Sequence, residues 1–321
     1  MKKHFSPAQN VCPRLYTANI YKHINKREMR IILFIALFIA FAAAHESCVQ
    51  RVENKQDYTR VKTPQPHQYL SPEDVPAAWD WRSATLEDGI TRNYLGATRN
   101  QHLPQYCGSC WAMSVTSQVS SRLKIGRLGS FPEVDLAAQV LLNCMGNYNF
   151  SCANGGDPTI ALEYIATQGI TDETCAPYEA IDLECTAENV CKNCNFDLSN
   201  PTAKCFAQPT YTTYYVEEHG LVNGTDNMKA EIFARGPISC GMCVTDAFEA
   251  YQGGIFSDNT GNGEINHEIL IVGWGSEGGV DYWIGLNSWG SFWGELATFR
   301  ILMGSNILNI ESDCDWAVPR Q

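Results

Sequence analysis

Basic residues are scarce over most of this chain of 321 residues. Residues 75–321 contain 12 Lys and Arg against 29 Asp and Glu, a formal net charge of −17. A surface of this sign repels the phosphates of nucleic acids and the head groups of anionic lipids, so neither a nucleic acid nor a membrane is an expected partner. Part of the charge would be neutralised in an acidic lumen, although solubility alone explains the excess equally well.

Internal repeats, low-complexity tracts and apolar runs long enough to span a bilayer comfortably are also lacking. The apolar run 31–44 has only 14 residues, ends in three alanines, and follows 30 residues with seven Lys or Arg and one acid. This pattern predicts a secretory signal peptide with an Ala-x-Ala cleavage site; a signal anchor is the alternative interpretation. Because Met29 could itself start an ordinary signal peptide, residues 1–28 are a candidate non-native extension.

Cysteine, by contrast, is abundant, with fourteen residues. In a secreted chain this number implies disulfide bonds, but the spacing alone does not determine how they connect. Two segments have the form of N-glycosylation acceptors, which fits the same route through the cell; they are Asn149-Phe150-Ser151 and Asn223-Gly224-Thr225.

The segment 101–111 is the most informative part of the chain and reads Gln-His-Leu-Pro-Gln-Tyr-Cys-Gly-Ser-Cys-Trp. Two small residues, Gly108 and Ser109, directly precede Cys110, and a helical pattern follows it. We therefore expect Cys110 at a helix N-terminus. A thiolate there is stabilised by the helix dipole, and its pKa falls by roughly one to five units in known cases. Cys110 is therefore a candidate nucleophile. A redox pair with Cys107 and half of a zinc site are the alternatives.

His267 and Asn287, both far downstream of Cys110, supply the partners that a nucleophilic thiol needs. His267 precedes an apolar, strand-like run, and Asn287 follows another strand-like run. A cysteine peptidase needs a base to share the thiol proton and a third group to orient that base. A thioredoxin-like protein would need a βαβ pattern instead, and a zinc site would need a second close Cys/His pair. Candidates for that second pair are Cys191 with Cys194 and Cys240 with Cys243.

Helical and strand patterns occupy different parts of the sequence. Apolar residues at Val115, Val119 and Leu123 predict a helix over 111–124, and further helices are predicted over 136–142, 160–167 and 227–234. Strands separated by glycines are predicted over 255–256, 268–274, 282–286 and 298–302. Helices first and strands second predict an α+β architecture with two lobes and a site in the cleft between them.

From about residue 70 onward the chain resembles the papain-like cysteine peptidases and, within that family, the cathepsin Z group. The general family motifs are Trp79-Asp-Trp-Arg82, Cys107-Gly-Ser-Cys-Trp111, Gly155-Gly156, Asn266-His267 and Asn287-Ser-Trp-Gly-Ser-Phe-Trp-Gly294. The motifs of the narrower group are His102-Leu-Pro-Gln-Tyr106, Asp172-Glu-Thr-Cys175 and Gly236-Pro-Ile-Ser-Cys-Gly241. The resemblance implies a papain-like two-lobed fold, with the nucleophile on a helical lobe and the histidine on a β-barrel-like lobe.

Chemistry and resemblance together assign a role to each candidate residue. Cys110 attacks the scissile carbonyl, His267 protonates the leaving amine, and Asn287 orients the imidazole, with Trp289 as a cover for that hydrogen bond. From the resemblance alone, Gln101 donates to the oxyanion beside the Cys110 N–H. The remaining assignments concern substrate binding: Gly155 and Gly156 admit the substrate backbone, and His102 and Tyr106 hold a terminal carboxylate.

The resemblance also implies the disulfide pattern. In the mature region the implied pairs are Cys107–Cys152, Cys144–Cys185, Cys175–Cys191, Cys194–Cys205 and Cys240–Cys314. Cys243 is left over and is expected to be a small buried apolar residue. Cys48 is expected to pair with Cys110 in a proenzyme, in which a short pro-segment suffices because the disulfide consumes the thiolate.

These expectations describe a lysosomal or secreted cysteine carboxypeptidase. The predicted division is an extension and signal peptide over 1–44, a short propeptide over 45–74 and a peptidase domain over 75–321. An endopeptidase or aminopeptidase of the same fold, or a non-catalytic papain-like binding protein, is the alternative. We expect a monomer with no cofactor and no metal, acting on peptides and proteins and open to cystatin-type inhibitors.

Overall fold

The computed structural model describes residues 47–197, 200–258, 260 and 263–320. The predicted signal peptide and extension lie outside these residues. No helix of the described residues is both long and apolar enough to cross a membrane. The α-helices are α1 (Cys110–Gly126), α2 (Ala138–Cys144), α3 (Pro158–Thr167), α4 (Ala187–Val190), α5 (Thr225–Arg235) and α6 (Asp246–Glu249). Short 3-10 helices span Lys55–Tyr58, Pro66–Gln68, Pro72–Asp74, Trp81–Ser83, Gly146–Tyr148 and Ile307–Asn309.

Helix α1 runs through the interior of the molecule and is buried from Cys110 to Leu123. Its polar residues are compatible with burial in part because two of its hydroxyls bond back to the helix itself. Thr116 Oγ1 donates to the carbonyl of Ala112 at 2.7 Å, and Ser121 Oγ to that of Ser117 at 2.7 Å. This back-bonding satisfies the hydroxyls without another partner, so the helix can be enclosed on all sides.

The strands form one large sheet and two small hairpins. Their bounds are β1 (Trp79–Asp80), β2 (Ala84–Thr85), β3 (Thr91–Arg92), β4 (Lys192–Asp197), β5 (Asn200–Ala207), β6 (Val216–Val222), β7 (Ile238–Met242), β8 (Ile255–Phe256), β9 (His267–Glu277), β10 (Val280–Leu286), β11 (Thr298–Leu302) and β12 (Cys314–Pro319). The large sheet has the order β6-β12-β7-β9-β10-β11-β8, with β1 paired to β9. The pairs β2-β3 and β4-β5 stand apart.

The β9-β10 hairpin aligns the two strands that lead into and out of the candidate site. Its turn consists of Gly278 and Gly279, whose φ angles of 61° and 82° suit the tight turn that glycine favours. The hairpin pairs Leu286 with Leu270, near the ends of the two strands opposite the turn. As a result, the first residue of β9 and the residue after β10 lie close together.

Two hydrophobic cores correspond to two lobes. One core packs α1, α2 and α3 around residues such as Val115, Leu141 and Ile165. The other packs the faces of the large sheet around residues such as Ile271 and Trp283. Separate cores for the helices and the sheet confirm the two-lobed α+β prediction.

A buried ion pair ties α1 to the sheet lobe. Arg122 Nη1 lies 2.9 Å from Glu231 Oε1 on α5, and both side chains are only 1% exposed. The same guanidinium donates to the carbonyls of Gly236, Pro237 and Ala317. The guanidinium thus donates four hydrogen bonds, one to a carboxylate and three to carbonyls, which offsets the cost of burying its charge.

All four predicted helices and all four predicted strands are present, with shifts of a few residues at their ends. Prediction from sequence missed β6, β7, β12 and the β4-β5 hairpin. The strand β7 is buried at all five positions, so it has no alternation of polar and apolar residues to reveal it. The strand β6 contains Glu217-Glu218-His219-Gly220, a composition that does not favour a strand.

Candidate active site

Cys110 is the first residue of α1, as predicted. The backbone just before it packs so closely on a neighbouring segment that position 108 must be glycine. The Gly108 N–H donates to the carbonyl of Cys152 at 2.8 Å, and a Cβ at position 108 would lie 2.7 Å from that oxygen. The disulfide Cys107–Cys152 fixes the same pair of segments. The helix start is thus held against the second segment by a covalent bond and by a contact that only glycine permits.

Cys110 is joined to Cys48 by a disulfide bond, with their Cα atoms 5.9 Å apart. Cys110 is fully buried and Cys48 is 2% exposed. The expected pairing of these two cysteines is confirmed, as are the five other expected disulfides. Cys243 is buried and outside any disulfide, as expected.

His267, the first residue of β9, lies between sulfur and amide. Its Nδ1 is 3.4 Å from Cys48 Sγ, and its Nε2 is 2.8 Å from Asn287 Oδ1. The Ser288 N–H also donates to Asn287 Oδ1 at 2.8 Å, which identifies that atom as the oxygen. Because an amide oxygen only accepts, Nε2 carries a proton, and in the neutral ring Nδ1 faces the sulfurs with its lone pair.

Trp289 lies over the imidazole. The ring centroids of His267 and Trp289 are 4.8 Å apart with an interplanar angle of 35°. His267 is fully buried, Asn287 is 2% exposed and Trp289 is 7% exposed. The indole therefore shields the His267–Asn287 hydrogen bond from water, which strengthens it.

Gln101 is buried beside the nucleophile segment. Its Nε2 donates to the carbonyl of Cys107 at 3.2 Å, and its Oε1 accepts from Ser288 Oγ at 2.7 Å. Its backbone N–H donates to the carbonyl of Ser288 at 2.8 Å. These contacts connect the segment before Cys110 to the segment after Asn287.

The loop 102–106 carries a stack of rings that reaches the centre of the site. His102 stacks on Tyr106 with centroids 4.8 Å apart and an interplanar angle of 20°. It also faces Trp289 at 6.5 Å and 23°. Tyr106 is 53% exposed, and His102 is partly exposed. The stack Tyr106–His102–Trp289–His267 thus runs from solvent to the buried imidazole.

Gly155 and Gly156 contact the N-terminal segment, which we define as residues 47–74. The Gln50 N–H donates to the Gly156 carbonyl at 2.9 Å, and the Gly156 N–H to the Cys48 carbonyl at 3.3 Å. A Cβ on Gly155 would lie 2.3 Å from the Cys48 carbonyl carbon. Two glycines thus allow an extended backbone to pass directly over the site, and the N-terminal segment occupies that place.

Prediction from sequence missed a group of four carboxylates beside the site. Asp157 caps α3, Glu268 follows His267, and Asp313 and Asp315 flank the start of β12; we call these four residues the acidic pocket. Asp315 and Glu268 are 1% exposed. Burial raises the pKa of Glu268 to about 8 and that of Asp315 to about 7, against the lowering effect of nearby cations.

Lys55 and Arg51 of the N-terminal segment supply those cations. Lys55 Nζ lies 3.1 Å from Asp313 Oδ1 and 3.5 Å from Asp157 Oδ2. Burial acts to lower the pKa of Lys55, but the carboxylates outweigh it, and the pKa lies above its ordinary value. No local motif indicates this arrangement, because its members come from four separate parts of the chain.

Neither alternative chemistry for the cysteines fits the structure. Cys107 and Cys110 bond to different partners, so they are not a redox pair. Cys191, Cys194 and Cys240, which a zinc site would need, are in disulfides. In the described part of the chain, Cys48, Cys110 and His267 are close enough together to hold a metal, but the two sulfurs are bonded to each other.

Known proteins are similar to this chain in sequence and in fold. Residues 75–318 match the model of the protein family described as papain family cysteine protease. The chain is 43% identical over 256 residues to a protein described as cathepsin Z from Onchocerca volvulus, which covers 77% of this chain and 79% of that relative. It is 30% identical over 231 residues to cathepsin B-like cysteine proteinase 4 from Caenorhabditis elegans, covering 67% of this chain and 68% of the relative.

A solved structure shows the same architecture. It is described as proCathepsin B S9 from Trypanosoma congolense and matches with a TM-score of 0.68 at 22% identity, over 93% of this chain and 99% of that one. At this identity the match speaks for the fold alone. The family match and the first relative confirm the predicted resemblance to the cathepsin Z group. The chain belongs to the papain family of cysteine proteases.

Proposed function

We propose that this cysteine peptidase is made as a zymogen and acts, once reduced and cleaved, as a carboxypeptidase in the lysosome or outside the cell. The observation that carries the proposal is the position of His267, between the sulfur of the Cys48–Cys110 pair and Asn287 Oδ1. A thiol, an imidazole and an orienting amide in contact form the unit that acyl transfer through sulfur needs.

The chemistry follows from this geometry. After reduction, the proton of the Cys110 thiol resides on His267, and the thiolate, at the N-terminus of α1, attacks the scissile carbonyl carbon. The Cys110 N–H and the Gln101 amide donate to the resulting oxyanion. His267 Nδ1–H protonates the leaving amine as the C–N bond breaks, which leaves a thioester. Water, deprotonated by His267, then hydrolyses the thioester and releases the acid.

Latency follows from the disulfide. As long as Cys48 is bonded to Cys110, no thiolate exists, and the backbone of the N-terminal segment covers Gly156. Such a covalent block explains how a segment of about 30 residues could silence the enzyme without a folded inhibitory domain. We place the propeptide at 45–74 and the peptidase domain at 75–321, with cleavage near residues 70–75 after the signal peptide and extension of 1–44 are removed.

The carboxypeptidase mode is supported by the ring stack of loop 102–106. An imidazolium on His102 would donate to a substrate carboxylate, and Tyr106 would add a neutral hydrogen bond. In the stack, the Trp289 indole separates His102 from His267, and Tyr106 lies on the far side of His102. A substrate whose last residue ends at this loop would present its final peptide bond to Cys110. Peptides and proteins with free C-termini are therefore the proposed substrates of a monomeric enzyme, with cystatin-type proteins as candidate inhibitors.

One pair of peptides tests the proposal. The reduced, cleaved enzyme is incubated at acid pH with a defined peptide and with its C-terminally amidated twin, and the products are identified by mass spectrometry. We expect loss of single C-terminal residues from the free peptide and little cleavage of the amide. Internal cleavage of both peptides would instead identify an endopeptidase, and N-terminal trimming an aminopeptidase. Failure of an epoxide inhibitor to label Cys110 would identify a non-catalytic protein.

A further inference from the structure

The acidic pocket lies directly against the catalytic centre. Glu268 is the neighbour of His267 in β9, and Asp157 is the neighbour of Gly156. Asp313 and Asp315 approach from β12, which pairs with β7 through Cys314 and Cys240. The N-terminal segment, whose backbone passes over Gly156 to Cys48, places Arg51 and Lys55 against these four carboxylates.

The pocket already holds cationic side chains in this structure. Arg51 Nη1 is in close contact with Asp313 Oδ2, and Arg51 Nη2 lies 3.5 Å from Glu268 Oε1. Lys55 Nζ lies 3.9 Å from Asp315 Oδ2, in addition to its contacts with Asp157 and Asp313. Both cations belong to the N-terminal segment, so cleavage would remove them together.

The floor of the pocket is shaped for a guanidinium. A Cβ on Gly241 would lie 2.1 Å from Arg51 Nη2 and 3.0 Å from Glu268 Oε1. Every other residue type would therefore occupy the space of the Arg51 head group. The glycine has no positive φ that would require it for backbone reasons, since it is absent from the residues with that conformation.

Two buried carboxylate oxygens of the pocket accept no hydrogen bond within the described structure. They are Glu268 Oε1 and Asp315 Oδ2. Buried oxygens without a donor are costly, and removal of Arg51 and Lys55 would leave the pocket with even fewer partners. A ligand that brings several N–H donors and a positive charge would satisfy them, which is the chemistry of arginine and lysine side chains.

We propose that the acidic pocket of the processed enzyme binds an arginine or lysine side chain of the substrate, on the acyl side of the scissile bond. This inference rests on the proposed carboxypeptidase function, because the released residue would lie on the other side, at loop 102–106. Gly156 lies between the pocket and Cys110 in the path of the bound backbone. The pocket would thus select the residues that precede the released one.

A peptide scan tests the inference. Peptides with a free C-terminus carry arginine one, two or three residues before the scissile bond, and each has a twin with citrulline, which is the neutral isostere of arginine. We expect kcat/KM to favour arginine by about tenfold or more at one of these positions. The preference should fall to about twofold or less in Asp313→Asn, which replaces the carboxylate that contacts both Arg51 and Lys55 with a neutral amide of the same shape.

Glu217→Gln is the matched control, because Glu217 also pairs with a lysine of the N-terminal segment but is exposed and outside the pocket. It should keep the preference of the wild type. Equal rates for arginine and citrulline at every position would overturn the inference while leaving the proposed function intact. Absence of cleavage of every peptide would overturn the proposed function as well.

A binding measurement covers the case in which pocket variants fold poorly. A labelled synthetic peptide of residues 47–58 with Cys48→Ser is titrated into processed wild-type enzyme whose Cys110 has been blocked. Replacing Arg51 of the peptide with citrulline should weaken binding by about tenfold. Unchanged affinity would contradict cation recognition by the pocket, since only the charge of the side chain differs.

Discussion

Loop 102–106 and the acidic pocket flank the same histidine, but the loop is aromatic and exposed, whereas the pocket is charged and buried. On the loop side, Tyr106 is 53% exposed and stacks on His102. On the pocket side, Glu268 and Asp315 are each 1% exposed. Each side would recognise a charge on the substrate. Only the pocket side, however, costs folding free energy, because its carboxylates are buried.

The difference concerns stability. A ring at the surface is already hydrated, so its replacement changes binding more than folding. A buried carboxylate has lost its water, and it is tolerated only when it is protonated or when a cation faces it. The N-terminal segment supplies such cations with Arg51 and Lys55. Mutations on the loop side should thus alter selectivity, and mutations in the pocket should alter selectivity, latency and stability together.

Removal of the catalytic residues that lie between loop 102–106 and the acidic pocket should have the largest effect on activity. In the cleaved enzyme, Cys110→Ser and His267→Ala should each lower kcat/KM by roughly 10³-fold or more with an intact fold, because each removes a reacting group. Asn287→Ala should retain more activity, since it removes orientation alone. The double variant of Cys110 and His267 should be hardly slower than either single variant, because the two act as a unit. Kinetics and circular dichroism check these expectations.

Retention of ordinary rates by a folded His267→Ala variant would contradict the assignment. Loop 102–106 and the acidic pocket would then not be the two sides of an active site that depends on His267.

The next effect concerns the covalent link that holds the N-terminal segment on the pocket side. In the unreduced proform, Cys48→Ser should convert Cys110 from a disulfide partner to a free thiol, so that alkylation of Cys110 rises from essentially none to nearly complete. Mass spectrometry of the alkylated, unreduced protein gives the answer. Cys243→Ser is the control, because Cys243 is buried and outside the disulfides. A wild-type proform with an alkylated Cys110 would rule out the covalent block.

The comparison also shows why sequence reasoning found one flank and missed the other. His102 and Tyr106 are four positions apart in one contiguous motif beside Cys107, and the family resemblance that this motif carries identifies them. The Cys110 helix and the strands β9 and β10 were predicted from local patterns, since the helix has a local periodicity and glycines separate the two strands. The six disulfides came from the family resemblance and not from spacing.

The acidic pocket has no such local signal. Asp157 caps α3, but the predicted helix began only at residue 160 and its cap was not predicted. Asp313 precedes a strand, β12, that was not predicted, Asp315 lies within that strand, and Glu268 begins a predicted strand as a polar residue. Only the pairing of β12 with β7, and of β7 with β9, brings these residues together. Sheet order depends on long-range contacts, so the pocket could not be derived from sequence periodicity.

A smaller, selective effect is expected on the loop side. His102→Ala should reduce the preference for free over amidated C-termini by roughly tenfold, the value of one charge-assisted hydrogen bond. Paired kinetics on the free and the amidated peptide measure this effect. Gln105→Ala in the same loop is the control. If His102→Ala keeps the full preference, the loop does not read the carboxylate.

The smallest expected effect is a pH dependence of stability on the pocket side. The folded pKa of Glu268 is about 8, above its ordinary value of 4.5. The folded state therefore holds a proton that the unfolded state releases, and the contribution of Glu268 to stability is largest below about pH 4.5 and declines as the pH rises to about 8. Asp315, whose pKa is raised to about 7, acts in the same direction.

Glu268→Gln isolates this contribution, because glutamine keeps the shape and does not ionise. Between pH 5 and 8 the Tm of the unreduced proform should fall less in Glu268→Gln than in the wild type, by a few degrees, at about 2–4 °C for each kcal/mol in a domain of this size. His219, whose pKa is lowered by burial, acts in the opposite sense, but it is present in both proteins and cancels in the difference.

Glu217→Gln should follow the wild type, since the pKa of Glu217 is lowered by Lys62 and its contribution is lost only in more acidic solution. Parallel Tm curves for Glu268→Gln and the wild type would show that Glu268 is ionised in the folded proform throughout this range, with Arg51 as its full partner.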